Sequence, residues 1–151
     1  MKTNVSKLNN IYNNDFVAIV GKINSKNITT KTCRHTVVFG YAETIVKVNP
    51  NINENTFSAT GKLCNIRPLC RVKNNRLILE CILSVLRKDN KCDFIPLVLW
   101  GDTAVTVNNF TVDTTVSITG RFQSRKYKTE SGFEKIIHEV SIKNIRKIDI
   151  L

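Results

Sequence analysis

Three aromatic residues, Phe94, Trp100 and Tyr127, lie in a stretch dense with cations: Arg87, Lys88, Arg121, Arg125, Lys126 and Lys128. Trp100 is the only tryptophan in 151 residues. Flat π surfaces beside guanidinium and ammonium groups suit a non-covalent chemistry. Aromatic rings stack on unpaired bases, at about 1–3 kcal/mol per base, while cations hold the phosphates and arginine also stacks. Bases in a duplex are already stacked, so the pattern favours single strands. The competing reading gives the rings to a second hydrophobic core or a subunit interface, and residue type alone leaves both open.

The elements that must position these side chains are strands. Short alternating apolar segments span 16–23, 35–42, 56–63, 76–86, 94–101, 115–127 and 134–148, rich in Val, Ile, Thr and aromatics. Turn pairs such as Asn74-Asn75, Asp89-Asn90, Asn108-Asn109 and Ser131-Gly132 separate several of them. Only 101–110 reads as a short helix. Closely spaced strands without long helices predict an all-β barrel or sandwich. Along "FIPLVLW" the two-residue period sends Ile95, Leu97 and Leu99 one way and Phe94, Pro96, Val98 and Trp100 the other. In 121–127 it turns Phe122 inward and sets Arg121, Gln123, Arg125 and Tyr127 outward. If the two strands share a sheet, its outer face combines the rings with the arginines.

Composition agrees with an acidic partner. Lys and Arg total 23 against 12 Asp and Glu, a formal charge of +11. A small domain this basic meets nucleic acid first and anionic lipid second. Apolar residues reach 42%, enough for a packed core. The five cysteines, Cys33, Cys64, Cys70, Cys81 and Cys92, form no C-x-x-C pair, and with His35 they match no usual zinc spacing. The start, "MKTNVSKLNNIYNND", lacks a secretory apolar core, so reduced thiols and a cytoplasmic location are expected. No apolar run has membrane-spanning length. Phosphate-loop and nucleophile-elbow motifs are absent, and neither an enzyme nor a cofactor is expected.

The polar stretch "NPNINENT" (49–56) divides the chain into a β-rich extension, 1–55, and a main domain, 56–151. A weak echo links "TFSATGKL" (56–63) with "TVSITGRF" (115–122), the same offset pairing Glu80 with Glu139. An eroded duplication is slightly favoured over mere similarity of strand pattern.

Several segments are recognisable together. "FSATGKLCNIRP", "RLILECILSVLRKD", "CDFIPLVLWGDTA", "VSITGRFQSRKYKTESGFEK" and "HEVSIKNI" occur in this order between 57 and 145. This succession resembles the bacterial-type single-stranded DNA-binding protein family, built on the OB-fold. It also resembles the C-terminal half of two-part single-strand-binding or primosomal-type proteins. The third and fourth segments carry the specific part of the likeness.

The resemblance implies a five-stranded Greek-key barrel, and Gly61 and Gly120 are expected at strong bends where a side chain would obstruct coiling. It implies base stacking by Phe94, Trp100 and Tyr127, and phosphate contacts from Arg121, Arg125, Lys126, Lys128, Arg87 and Lys88. The expected function is non-catalytic binding of single-stranded DNA in replication, repair or mobile-element transfer, by a homodimer or homotetramer. Two alternatives stand beside it: an OB-fold assembly subunit of a primosome-like or plasmid complex, and an RNA-binding OB protein. Two departures matter. "SVLRKD" lacks an aromatic that many members carry, and the chain stops at "IRKIDIL" without the acidic tip that recruits replication enzymes. "NNDFVAIVGKI" looks like another first OB strand and "HTVVFGYAETI" like another third, so the extension reads as a truncated OB unit packed on the complete one or on a partner subunit.

Overall fold

A computed structural model describes residues 10–29, 31, 34–128 and 131–149. Its main body is a barrel of five long strands: β3 (Phe57–Cys64), β5 (Leu77–Leu86), β6 (Cys92–Trp100), β7 (Thr115–Lys128) and β8 (Glu134–Lys147). The sheet runs β3-β7-β8-β6-β5, and β5 returns to pair with β3, which closes it. The minor strand β4 (Cys70–Arg71) adds to the side of β5. Every neighbour is antiparallel except β6 and β8, which pair in parallel at Leu97–Val140 and Val98–Ser141. This is the OB-fold, as expected.

The inward side of each strand supplies the core, as its alternation predicts. Leu63, Leu79, Leu83, Ile95, Leu97, Leu99, Val116, Ile118 and Val140 are fully or almost fully buried. Helix α1 (Gly101–Asn108) follows β6 directly and adds Ala104 and Val107 to that core. It covers the barrel at the end where β6 finishes. The sharp coiling of β7 requires Gly120. A bulge falls between Thr119 and Gly120, and a Cβ there would lie 2.3 Å from the Ser141 carbonyl oxygen. Gly61 makes the same approach to Ser84, as its expected place at a bend implied.

The N-terminal extension forms a separate two-stranded hairpin, β1 (Val17–Thr29) and β2 (Arg34–Lys47). Its reading as first and third OB strands is corrected. First and third strands of this barrel, β3 and β6, do not touch through a ladder, whereas β1 and β2 pair along their whole length. The hairpin instead repeats β7–β8. A bulge between Val20 and Gly21 matches the one at Gly120, and a Cβ on Gly21 would meet the Tyr41 carbonyl at 2.0 Å. Alternation announces a strand but not its partner, which is why the sequence misled.

The hairpin is held at the opposite end of β6 from α1. The Asp93 carboxylate, 3% exposed, accepts from the Ser25 backbone N–H at 2.6 Å and from Asn24 Nδ2 at 3.0 Å. The Phe94 N–H donates to Ser25 Oγ at 2.7 Å. Ile23 packs against the barrel core and Val38 is buried. A two-stranded ribbon is marginal in water by itself, and this seat supplies the burial it lacks.

Candidate nucleic-acid interface

The outer row of β6 follows its alternation except at Val98, which was expected there and is fully buried. Phe94, Pro96 and Trp100 are half-buried and stand outside the core cluster, while Asp93, Ile95, Leu97 and Leu99 point the other way. Across the ladder they face Ser84, Ile82 and Ile78 of β5. The indole of Trp100 carries the Arg76 guanidinium over its face, 4.9 Å from the ring centroid. Such a contact is worth about 0.5–1 kcal/mol at an open site and fixes the ring's orientation. Arg76 was missed from sequence. No sequence signal marks it, because Arg76 lies just ahead of β5 and reaches the indole only through the register that sets Ile78 opposite Trp100.

Between this row and the β7–β8 hairpin lies a cleft of about 300 Å³, lined by Asn65, Arg67, Glu80, Ile82, Pro96, Arg125, Ile137 and Glu139. A charge cluster occupies it. Arg125 Nε donates to Glu139 Oε1 at 3.0 Å and Nη2 to Oε2 at 3.1 Å, while Nη2 also reaches Glu80 Oε1 at 2.6 Å. Glu80 in turn accepts from Arg67 Nη1 at 2.9 Å. The bond to Glu139 raises the Arg125 pKa above its ordinary value, burial opposes, and the bond to Glu80 adds to the rise. Two arginines meet two glutamates, so the floor of the cleft is electrically balanced. Arg125 is therefore bound to carboxylates here, not free for a phosphate.

The other expected phosphate ligands divide. Arg121, Lys126, Lys128 and Lys88 are exposed. Arg87 is half-buried and turned toward Asp89 and Asp93, with Nε 3.3 Å from one and 3.7 Å from the other. Phe122 points inward against the core and stacks on His138 at 6.1 Å between ring centroids. Cys33 and the side chains of His35 and Tyr127 lie outside the described residues, so the expected ring at Tyr127 is not placed. Among the described residues no group of three or more His, Cys, Asp or Glu could hold a metal ion. No helix among them is long and apolar enough to cross a membrane.

Residues 54–148, which take in the whole barrel, match the sequence profile of the single-strand binding protein family. The chain belongs to that family. A single-stranded DNA-binding protein of Clostridium tetani is 33% identical over 61 residues, 40% of this chain and 42% of that protein. This family member thus matches less than half the length of that relative. The wild-type single-stranded DNA binding protein of Thermus aquaticus superposes with a TM-score of 0.71 at 12% identity, over 89% of this chain and 59% of that one. A share that large extends beyond the barrel into the N-terminal hairpin. The dimeric N-terminal domain of PriB from Thermoanaerobacter tencongensis gives a TM-score of 0.51 at 22% identity, over 64% of this chain and 98% of that one.

Proposed function

We propose that this protein binds single-stranded DNA without catalysis, stacking unpaired bases on Phe94 and Trp100 and holding phosphates with Arg121, Lys88, Lys126 and Lys128. One observation carries the reading: the only tryptophan of the chain stands outside the core, on the outer row of an OB barrel, with an arginine oriented over its ring. A core residue would not need that position, and a base can slide against an indole already held in place. Tyr127 is kept as a third stacking ring on the family resemblance alone. Arg125 and Arg87 serve differently from the exposed cations. Arg125 fixes the β7–β8 hairpin against β5, and Arg87 sits beside the Asp93 seat.

The bound strand would be kept extended and protected during replication, repair or transfer of a mobile element. The free thiols of Cys64, Cys70, Cys81 and Cys92 suit a reducing cytoplasm. Unpaired hairpin edges suit assembly into a homodimer or homotetramer.

Fluorescence anisotropy with labelled oligo-dT, oligo-rU and duplex tests the proposal. Tight binding of oligo-dT, weaker binding of duplex, and a salt slope that falls by about 0.7 for Arg121→Gln are expected, since each single-strand phosphate contact releases about that share of counterion. Equal affinity for oligo-rU would move the reading to RNA. No binding of any oligonucleotide would move it to an assembly subunit.

A further inference from the structure

The hairpin β1–β2 repeats β7–β8 residue by residue around the shared bulge. Lys22 pairs with Tyr41 as Arg121 pairs with Ser141, and Asn24 pairs with Phe39 as Gln123 pairs with Glu139. Lys26 stands opposite Val37 as Arg125 stands opposite Ile137. Residues directly paired across a ladder share a face. Lys22, Lys26, Phe39 and Tyr41 therefore occupy the face that in β7–β8 carries Arg121, Gln123 and Arg125, while Asn24 among them turns its amide to Asp93. The opposite face holds Ile23, Ser25 and Val38 against the barrel.

The differences between the two hairpins decide what this face can do. Where β8 sets Glu139 to neutralise Arg125, β2 sets Phe39, and where β8 sets Ser141, β2 sets Tyr41. Phe39 is 45% and Tyr41 51% exposed, large rings left in water. Lys22 pairs with Glu43 at the surface, an exposed contact that a phosphate can replace at little cost. Lys47 is likewise paired with Asp15 at 2.8 Å. Residues 17–47 hold five Lys and Arg against one Glu. That excess opposes docking of a second copy of the same face and complements a polyanion. The position is also right. Asn24, the cross-strand partner of Phe39, and Ser25 are the residues that grip Asp93 and Phe94 at the start of the outer row of β6.

We propose that this solvent face is a second nucleic-acid surface, with Phe39 and Tyr41 stacking bases and Lys22 and Lys26 holding phosphates, which continues the single-strand path where it leaves the barrel at Phe94. The inference rests on the barrel binding single strands, as argued above.

The test uses the full chain and oligo-dT of two lengths, about 8 nucleotides, within reach of one OB barrel, and about 30, long enough to run on to the hairpin. The double variant F39A/Y41A is expected to keep short-oligo affinity and to lose about tenfold or more on the long one. Trp100→Ala is expected to weaken both. If F39A/Y41A weakens neither while Trp100→Ala weakens both, the second surface is overturned and the barrel reading stands. If Trp100→Ala changes nothing, the barrel reading itself fails. If F39A/Y41A lowers the sedimentation coefficient with long-oligo affinity intact, the face joins two copies instead, which also overturns the proposal. Should the double variant unfold, the unaltered chain is irradiated with a long oligonucleotide carrying 5-iodouracil. Adducts within residues 37–41 support the surface, and adducts confined to the barrel overturn it.

Discussion

Arg125 and Glu139 meet through two parallel bonds, Nε to Oε1 at 3.0 Å and Nη2 to Oε2 at 3.1 Å, at a carboxylate that is almost wholly buried. Arg125→Ala would strand that carboxylate, with Gln123 Nε2 at 3.1 Å as its remaining side-chain donor. A loss of about 3 kcal/mol in urea unfolding is expected, since removing one member of a buried pair leaves a charge without compensation. Arg125→Met combined with Glu139→Gln should recover most of it. The salt slope of oligo-dT binding should change less for Arg125→Gln than for Arg121→Gln, because Arg125 is already neutralised. A larger change would mean that Arg125 leaves the carboxylates for a phosphate when DNA binds.

The hairpin depends on Asp93. Asp93→Ala leaves the Ser25 N–H and the Asn24 amide without their acceptor. The expected cost is about 2–3 kcal/mol, the scale for bonds to a charged group. Trypsin should then cut sooner after Lys22 and Lys26, while the far-ultraviolet signal of the barrel persists. Unchanged cleavage would show that apolar packing at Ile23 and Val38 holds the hairpin without the carboxylate.

Much of this was legible in the sequence. The five barrel strands announced themselves through inward rows such as Ile95, Leu97 and Leu99, because burial on one side enforces a period of two. The same period placed Phe94 and Trp100 outward and Phe122 inward. The partner of each strand was not legible. The β1–β2 pairing was mistaken because a strand's pattern records its faces and says nothing of its edges. The neutralisation of Arg125 was also missed, although counting outward from the Ser131-Gly132 turn pairs it with Ile137 and leaves Glu139 on the diagonal. Glu80, 45 residues away in sequence, could come to it only through the closed barrel.

The cysteines give a pH-dependent prediction. Burial pushes the Cys81 thiol up to about 12, from an ordinary value of 9.0. The thiolate is the reactive form, so Cys81 should resist alkylation near neutral pH while the exposed Cys70 is modified. Because folding raises this pKa, the stabilisation from the neutral thiol is complete below 9.0 and is lost as pH rises toward about 12. The stability gap between the unaltered chain and Cys81→Ala should narrow over that window. Mass spectrometry of alkylated peptides and urea unfolding against pH check the two halves.

The most direct measurement is the emission of Trp100 itself. As the only tryptophan, it reports without labelling or substitution. Stacking of a base on the indole predicts saturable quenching by oligo-dT and almost none by duplex of the same length. Trp100→Ala should bind oligo-dT about 1–3 kcal/mol more weakly and keep the fold. Emission indifferent to oligo-dT, together with a Trp100→Ala chain that no longer folds, would make the tryptophan a structural residue and contradict the account.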